Sequence, residues 1–284
     1  MRLRCPNCHQ HLEAETFTCR AGHSFQTVDG VLVLLEAAFA QQLTTFTAKL
    51  ERFRDQAGKR LLDATAYEEL PFSKQVKADG EWQIRGFDWQ MISKHLAGQG
   101  PQTILDIGAW NGWLSHRLAQ QGHQVTASDY FSDPFDGLRA KQFYSTDWAA
   151  IQMDLTDLSL LDETFDVVII NHGLQFFPDP LAHLQAAQQK VKPGGWLFVL
   201  GLQFFSNPIP RSKEIAKLQA RFQQQQQANL FLKPTKGFLS WDDRIALKRA
   251  GVQFKTHFPL QWRNLKARSN PALPHFCYGL WHKR

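Results

Sequence analysis

Between residues 103 and 200, short apolar runs alternate with amphipathic stretches, and this rhythm constrains the fold more than any other feature of the chain. Residues 103–107, 124–128, 150–153, 165–170 and 196–200 read as strands, with helices expected at 113–121 and 179–191. The run Phe165-Asp166-Val167-Val168-Ile169-Ile170 is almost continuously apolar and β-branched, as a strand buried on both faces must be. Strands separated by helices pair in parallel through right-handed crossovers, which predicts an α/β, doubly wound sheet.

The flanks follow other patterns. Residues 1–35 are cysteine- and turn-rich and end in the apolar stretch Val31-Leu32-Val33-Leu34-Leu35. Phe39, Leu43, Phe46, Leu50 and Phe53 recur at helical spacing, which predicts a helix over 36–63, and a second is expected over 82–96. Beyond Phe205 a long polar helix is expected over 211–229, and another over 240–250 with Ser240 as N-cap and Asp243 in its first turn. Residues 252–258 and 276–282 read as two final strands. The expected organisation is a small unit at 1–35, a helical linker and cap at 36–100, and the α/β domain at 101–284 with an insertion at 206–237.

No run approaches the ~20 apolar residues of a membrane span; the best, at 31–35, is broken by Glu36. The start Met1-Arg2-Leu3-Arg4-Cys5 leaves no room for a signal-peptide core, so a cytoplasmic location is the expectation. The net charge of +6 conceals an asymmetry: from Ser206 to Arg284 there are 15 Lys+Arg against 3 Asp+Glu, leaving 17 against 23 for the remainder. A C-terminal third at +12 suits an anionic partner, RNA first among them, and equally suits solvated helix faces.

The most informative segment is Ile104-Leu105-Asp106-Ile107-Gly108-Ala109-Trp110-Asn111-Gly112-Trp113-Leu114-Ser115, where a strand ends, glycines turn the chain and a helix begins. In an open α/β sheet this is the crevice for a nucleotide-like ligand, because glycine permits close approach and the helix start offers free N–H groups. The next strand ends in Asp129, placed to accept from ribose hydroxyls, and the third ends in Asp154. The glycine spacing and the preceding Asp106 are wrong for a dinucleotide-binding dehydrogenase.

Together with Phe165-Asp166-Val167-Val168 and Val191-Lys192-Pro193-Gly194-Gly195, these residues resemble the class I S-adenosylmethionine-dependent methyltransferases over 103–200. The resemblance implies a Rossmann-like methyltransferase sheet and S-adenosylmethionine as cofactor. It implies cofactor contacts from Asp106, Gly108, Ala109 and Gly112 on the methionine side, Asp129 and Tyr130 at the ribose, and Asp154 and Leu155 at the adenine. Trp110 departs from the family's pattern, which carries glycine there; it leaves open a blocked, inactive cofactor-binding protein.

Three of the four cysteines lie in the first twenty residues, as Cys5-Pro6-Asn7-Cys8 and Cys19-Arg20-Ala21-Gly22-His23. Cys5, Cys8, Cys19 and His23 suit a tetrahedral structural Zn²⁺, with His9 and His11 near enough to compete for the fourth place. This head, followed by a helical linker and the α/β domain, resembles in layout the bacterial 23S rRNA guanine-N1 methyltransferases, in which the zinc module is implicated in RNA recognition.

The fourth strand ends in Asn171-His172-Gly173-Leu174-Gln175-Phe176-Phe177, at the edge facing the expected cofactor. His172 is the candidate base, and Asn171 or Gln175 a candidate for orienting the acceptor. The alternative for His172 is an ordinary loop histidine. Two acceptor classes follow: an RNA base, from the zinc head and the basic third, or a small molecule, because the 171–177 loop resembles the metabolite-methylating branch.

Overall fold

The computed structural model describes residues 1–56 and 62–284. In chain order it has β1 (Thr27–Val28), β2 (Val31–Leu34), α1 (Ala37–Gln56), α2 (Ala64–Tyr67), α3 (Gly80–Leu96), β3 (Thr103–Ile107) and α4 (Trp113–Gln120). Then come β4 (Gln124–Asp129), β5 (Ala149–Met153), β6 (Phe165–Ile170), α5 (Pro180–Gln189), β7 (Val191–Phe205) and α6 (Ile209–Gln226). The chain closes with β8 (Leu239–Ser240), α7 (Trp241–Arg249), β9 (Gln253–Lys255), α8 (Gln261–Ser269) and β10 (His275–His282). Of the helix expected over 36–63, residues 57–61 lie outside the described residues, and its expected end is corrected: Asp63 is extended and stands at the N-cap of α2.

The strands form one sheet in the order β1-β2-β5-β4-β3-β6-β7-β10-β9, with β8 pairing β7. The strands from β2 to β7 are parallel, and β10 and β9 close the far edge antiparallel. Period-two alternation explains why the central strands are apolar throughout. Leu105, Ile107, Val168 and Ile170 enter one core, packed with Leu184 and Ala187 of α5 and Leu247 of α7. Ile104, Val167 and Ile169 enter the other, packed with Trp82, Ile92, Trp113 and Leu118 of α3 and α4.

Two expectations are corrected by the pairing. The segment Lys192 to Gly195 is not a turn before a strand at 196. It lies inside β7 as a bulge, because Val191 pairs with Phe165 and Trp196 with Val167. Gly195 is required there, since a Cβ would fall 2.6 Å from the Asp166 carbonyl oxygen, and Gly194 N–H donates to the Lys283 carbonyl at 2.7 Å. The apolar stretch at 31–34 does not merely close the N-terminal unit: as β2 it pairs in parallel with β5 and extends the central sheet.

From the end of β2, α1 runs beside the turn after β4: Phe39 meets Tyr130 and Phe46 meets Phe131, with ring centroids 6.0 and 6.3 Å apart. Phe53 of α1 packs edge-on to Phe222 of α6 at 5.0 Å, so the two helices share a small core of their own. Among the described residues no helix is long and apolar enough to cross a membrane.

Candidate active site at the strand ends

The direction of strand succession reverses beside β3, which has β4 on one side and β6 on the other. Ligands of open α/β sheets bind outside the carboxyl ends of the strands at such a point. Here the β3–α4 turn is held by Gly108 N–H and Ala109 N–H, both donating to the Ser128 carbonyl at 2.8 and 3.1 Å. Gly108 (φ 74°) and Gly112 (φ 79°) are left-handed, and a Cβ on Gly112 would lie 2.4 Å from the Trp148 ring. Trp110 also adopts a left-handed backbone, φ 53°, which is why glycine is the easier residue there. Its ring packs on Trp82 at 5.5 Å, with the Arg85 guanidinium 5.3 Å away.

Asp106 is fully buried and accepts from Ser115 Oγ at 2.8 Å. Its Oδ1 and Nδ2 of the buried Asn171 on the next strand end make no hydrogen bond of good geometry among the described residues, although the Asn171 amide lies close enough to favour the Asp106 carboxylate. Burial pushes the Asp106 carboxyl up to about 7, opposed by the Ser115 hydrogen bond. Burial likewise raises Asp129 to about 6. Its oxygens accept from Trp110 N–H at 2.7 Å and Phe131 N–H at 2.9 Å.

The remaining expected cofactor residues lie further along the edge. Tyr130 donates to Asp154 at 3.3 Å, and Lys233, from the segment after α6, binds both Asp154 oxygens at 2.8 and 2.5 Å. Burial alone would raise the Asp154 carboxyl; Lys233 and Thr156 outweigh it and hold it below its ordinary value. Leu155 is buried in the core with Leu158 and Leu160.

His172 turns toward α3. Its backbone is left-handed, φ 54°, and its ring occupies the space a side chain on Gly201 would need, 2.2 Å from that Cβ to Nδ1. Its Nε2 donates to Oδ2 of Asp88 at 2.8 Å, while His257 Nε2 donates to Oδ1, also at 2.8 Å. Asp88 is 0% exposed. Burial would raise its carboxyl, but the two imidazole bonds win and keep it ionised. Burial, and then the Arg85 charge, lower the His172 pKa, so the ring is neutral at pH 7. Sequence reasoning missed Asp88, His257 and Lys233. Asp88 carried a signal, a carboxylate four residues from both Ile84 and Ile92 on a buried helix face.

Residues 105–199 match the family described as a methyltransferase domain. The chain is 29% identical over 145 residues to the ubiquinone biosynthesis O-methyltransferase of Albidiferax ferrireducens, covering 44% of this chain and 56% of that one. It is 29% identical over 144 residues to the tRNA 5-carboxymethoxyuridine methyltransferase of Escherichia coli K12, covering 48% and 53%. The matches thus span about half the length of these relatives. Among solved structures, a Galdieria sulphuraria protein provisionally named a sarcosine dimethylglycine methyltransferase shares the fold. Its TM-score is 0.51 at 13% identity, over 83% of this chain and 98% of that one.

Residues 105–199 are thus similar to a methyltransferase domain, built on a Rossmann-like α/β fold. Against the edge of that domain, a cleft of about 300 Å³ is lined by Leu50 and Arg54 of α1 together with Trp110, Phe131, Asp133 and Asp136. Arg54 and Asp136 are ion-paired across it.

The N-terminal unit docks elsewhere on the methyltransferase domain. Arg4 N–H donates to the Leu160 carbonyl at 2.8 Å, and its guanidinium pairs with Asp162 at 3.0 Å. Cys5, Cys8, Cys19 and His23 bring their ligand atoms within 4.8 Å of one another. Cys8 and Cys19 sulfurs are 3.6 Å apart, and His23 Nδ1 is 3.5 Å from Cys5 and 3.3 Å from Cys19. Bonds of about 2.3 Å to sulfur and about 2.0 Å to nitrogen space tetrahedral ligands about 3.5–3.8 Å apart, so this set fits a single metal ion. His11 instead faces Asp162 at 3.4 Å.

Proposed function

We propose that this protein transfers the methyl group of S-adenosylmethionine to an acceptor held near Asn171 and His172. The observation that carries the reading is the buried pair Asp106 and Asn171, whose Oδ1 and Nδ2 face each other without a well-formed hydrogen bond, beside the left-handed Gly108 at the switch point. Buried polar atoms are rarely left without a partner, and a polar cofactor supplies one. Asp106, Gly108, Ala109 and Gly112 would hold its methionine part, Asp129 and Tyr130 the ribose, and Asp154 and Leu155 the adenine side. When bound, S-adenosylmethionine supplies an electrophilic methyl group and leaves as S-adenosylhomocysteine.

His172 is the proposed base. Asp88 accepts from its Nε2–H, which fixes the tautomer and leaves the Nδ1 lone pair to take the acceptor's proton. Asp88 and His257 are positioning residues, because neither touches the reacting atoms. Trp110 does not argue for a blocked site, since its ring is engaged by Trp82 and Arg85.

The first acceptor reading is an RNA base, supported by the +12 charge of residues 206–284, the tRNA-modifying relative and the zinc-headed layout. A small molecule is the second reading, favoured by the cleft at Trp110 and Phe131 and the ubiquinone-biosynthesis relative. The Cys5, Cys8, Cys19 and His23 cluster is proposed to hold a structural Zn²⁺. It docks on residues that precede β6, whereas the site lies past its far end, six residues or about 20 Å away. Its proposed role is therefore architectural.

Labelled S-adenosylmethionine, added with the protein to an extract of cells lacking the gene and fractionated into RNA, protein and small molecules, tests the reading. Label in RNA supports the first acceptor, and label in metabolites supports the second. With the labelled fraction as substrate, Asp88→Asn is expected to slow transfer by about 100-fold at unchanged cofactor affinity, the scale of a positioned base. Failure of the wild type to bind S-adenosylmethionine in calorimetry at millimolar concentration would remove the whole proposal.

A further inference from the structure

Among the large apolar side chains exposed in the described residues, three of the five most exposed sit together. Phe258 is 82% exposed, Trp262 74% and Leu265 50%. Trp262 and Leu265 lie three residues apart on α8, and Phe258 stands one turn before Trp262, so the three share one face. Arg263, Lys266 and Arg268 flank this face and are exposed. The Lys and Arg ion pairs among the described residues all lie elsewhere. From Arg244 to the C-terminus there are nine Lys+Arg and no Asp or Glu, so no carboxylate of that segment offsets them.

We infer that the Phe258–Trp262 face is a docking platform for single-stranded RNA. The inference rests on the RNA reading of the acceptor and gives that acceptor a place to land. Two exposed rings, Phe258 in the turn before α8 and Trp262 on its first turn, with cations beside them, match the way single strands are held: bases stack on aromatic faces while Lys and Arg track the phosphates. A water-exposed indole and phenyl ring with no aromatic neighbour among the described residues are costly to leave bare, and the positive surplus of this segment favours an anionic partner. A lipid surface fits less well, because α8 has nine residues and six of them (Gln261, Arg263, Asn264, Lys266, Arg268, Ser269) are polar. The platform also adjoins the reacting end of the molecule. Residue 257, next to Phe258, is the histidine bonded to Asp88, which in turn holds His172.

The test is fluorescence anisotropy with a fluorescein-labelled single-stranded RNA of about 15 nucleotides, run across a salt series without cofactor. The wild type is expected to bind. Phe258→Ala with Trp262→Ala should weaken binding about tenfold or more, the loss of stacking for one or two bases. Arg263→Gln with Lys266→Gln should lower the slope of log affinity against log salt by about 1.4. Calorimetric binding of S-adenosylmethionine, measured on every variant, should be unchanged and reports that each is folded. Wild-type RNA binding that survives the aromatic pair unaltered overturns the platform and leaves the RNA acceptor standing. No RNA binding by the wild type overturns both, and pelleting with anionic phosphatidylglycerol vesicles in its place reassigns the face to a membrane.

Discussion

At the scale of single residues, the glycine turn trades stability for a binding site, and Asp106 carries most of that trade. Its carboxyl is fully buried, and burial raises it from an ordinary 3.8 to about 7. Between about pH 4 and pH 7 the folded chain therefore holds a proton that the unfolded chain has released. Its contribution to stability is fully present below pH 4 and is lost as pH rises through 7, a difference of up to about 4 kcal/mol. Asp106→Asn is expected to stabilise the cofactor-free protein by about 2 kcal/mol at pH 8 and to change little at pH 4. Urea unfolding at both values checks it, and an equal effect at the two would show that ionisation is not the cause. Asp106, Gly108 and Gly112 were legible in the sequence because they lie on one local turn, where spacing alone states the geometry. The partnership of His172 with Asp88 and His257 was not. Those bonds join residues 84 and 169 positions apart, and no local pattern encodes them.

At the scale of elements, the central strands and their helices were readable because each obeys one periodicity. Ser240 was equally plain as an N-cap, and the structure adds that Asp243 closes a capping box with it. The edges were harder. β2 joins the sheet only because β5 offers a free edge, and the bulge in β7 exists because Lys283 and Gly195 bond through their backbones. The pair α1 and α6 shows a further consequence of element packing. Phe222 is 0% exposed, yet among the described residues its cluster holds only Phe53, Leu230 and a few partly buried neighbours, apart from the two sheet cores. Removing its ring should cost about 3 kcal/mol locally without reaching the sheet. In Phe222→Ala, hydrogen exchange is expected to speed up at least tenfold in 37–56 and 209–226 while β3 and β6 keep their protection. Loss of protection throughout the sheet would show that the helices belong to the main core.

For the whole molecule, the decisive feature is that the cysteine unit has no separate core. Cys5, Cys19 and Phe25 are buried in the same cluster as Leu105, Val168 and Leu184 of the methyltransferase domain. The strand that closes the unit, β2, is hydrogen-bonded to β5, and Asp162 N–H donates to the Arg2 carbonyl at 3.0 Å. A knuckle that folded by itself would unfold by itself when its metal left. One that shares a core transmits the loss, because its side chains wall one face of the sheet. Zinc-site free energies are of order 10 kcal/mol in isolated fingers. If about 5 kcal/mol of that reaches the shared core, the melting temperature should fall by roughly 10–20 °C. Elemental analysis should give one zinc per chain. Calorimetry after chelation, or of Cys8→Ser, should then show a single transition displaced downward. A small separate transition at low temperature, with the main one unmoved, would mean that the unit is an independent domain and that its metal serves something other than the fold.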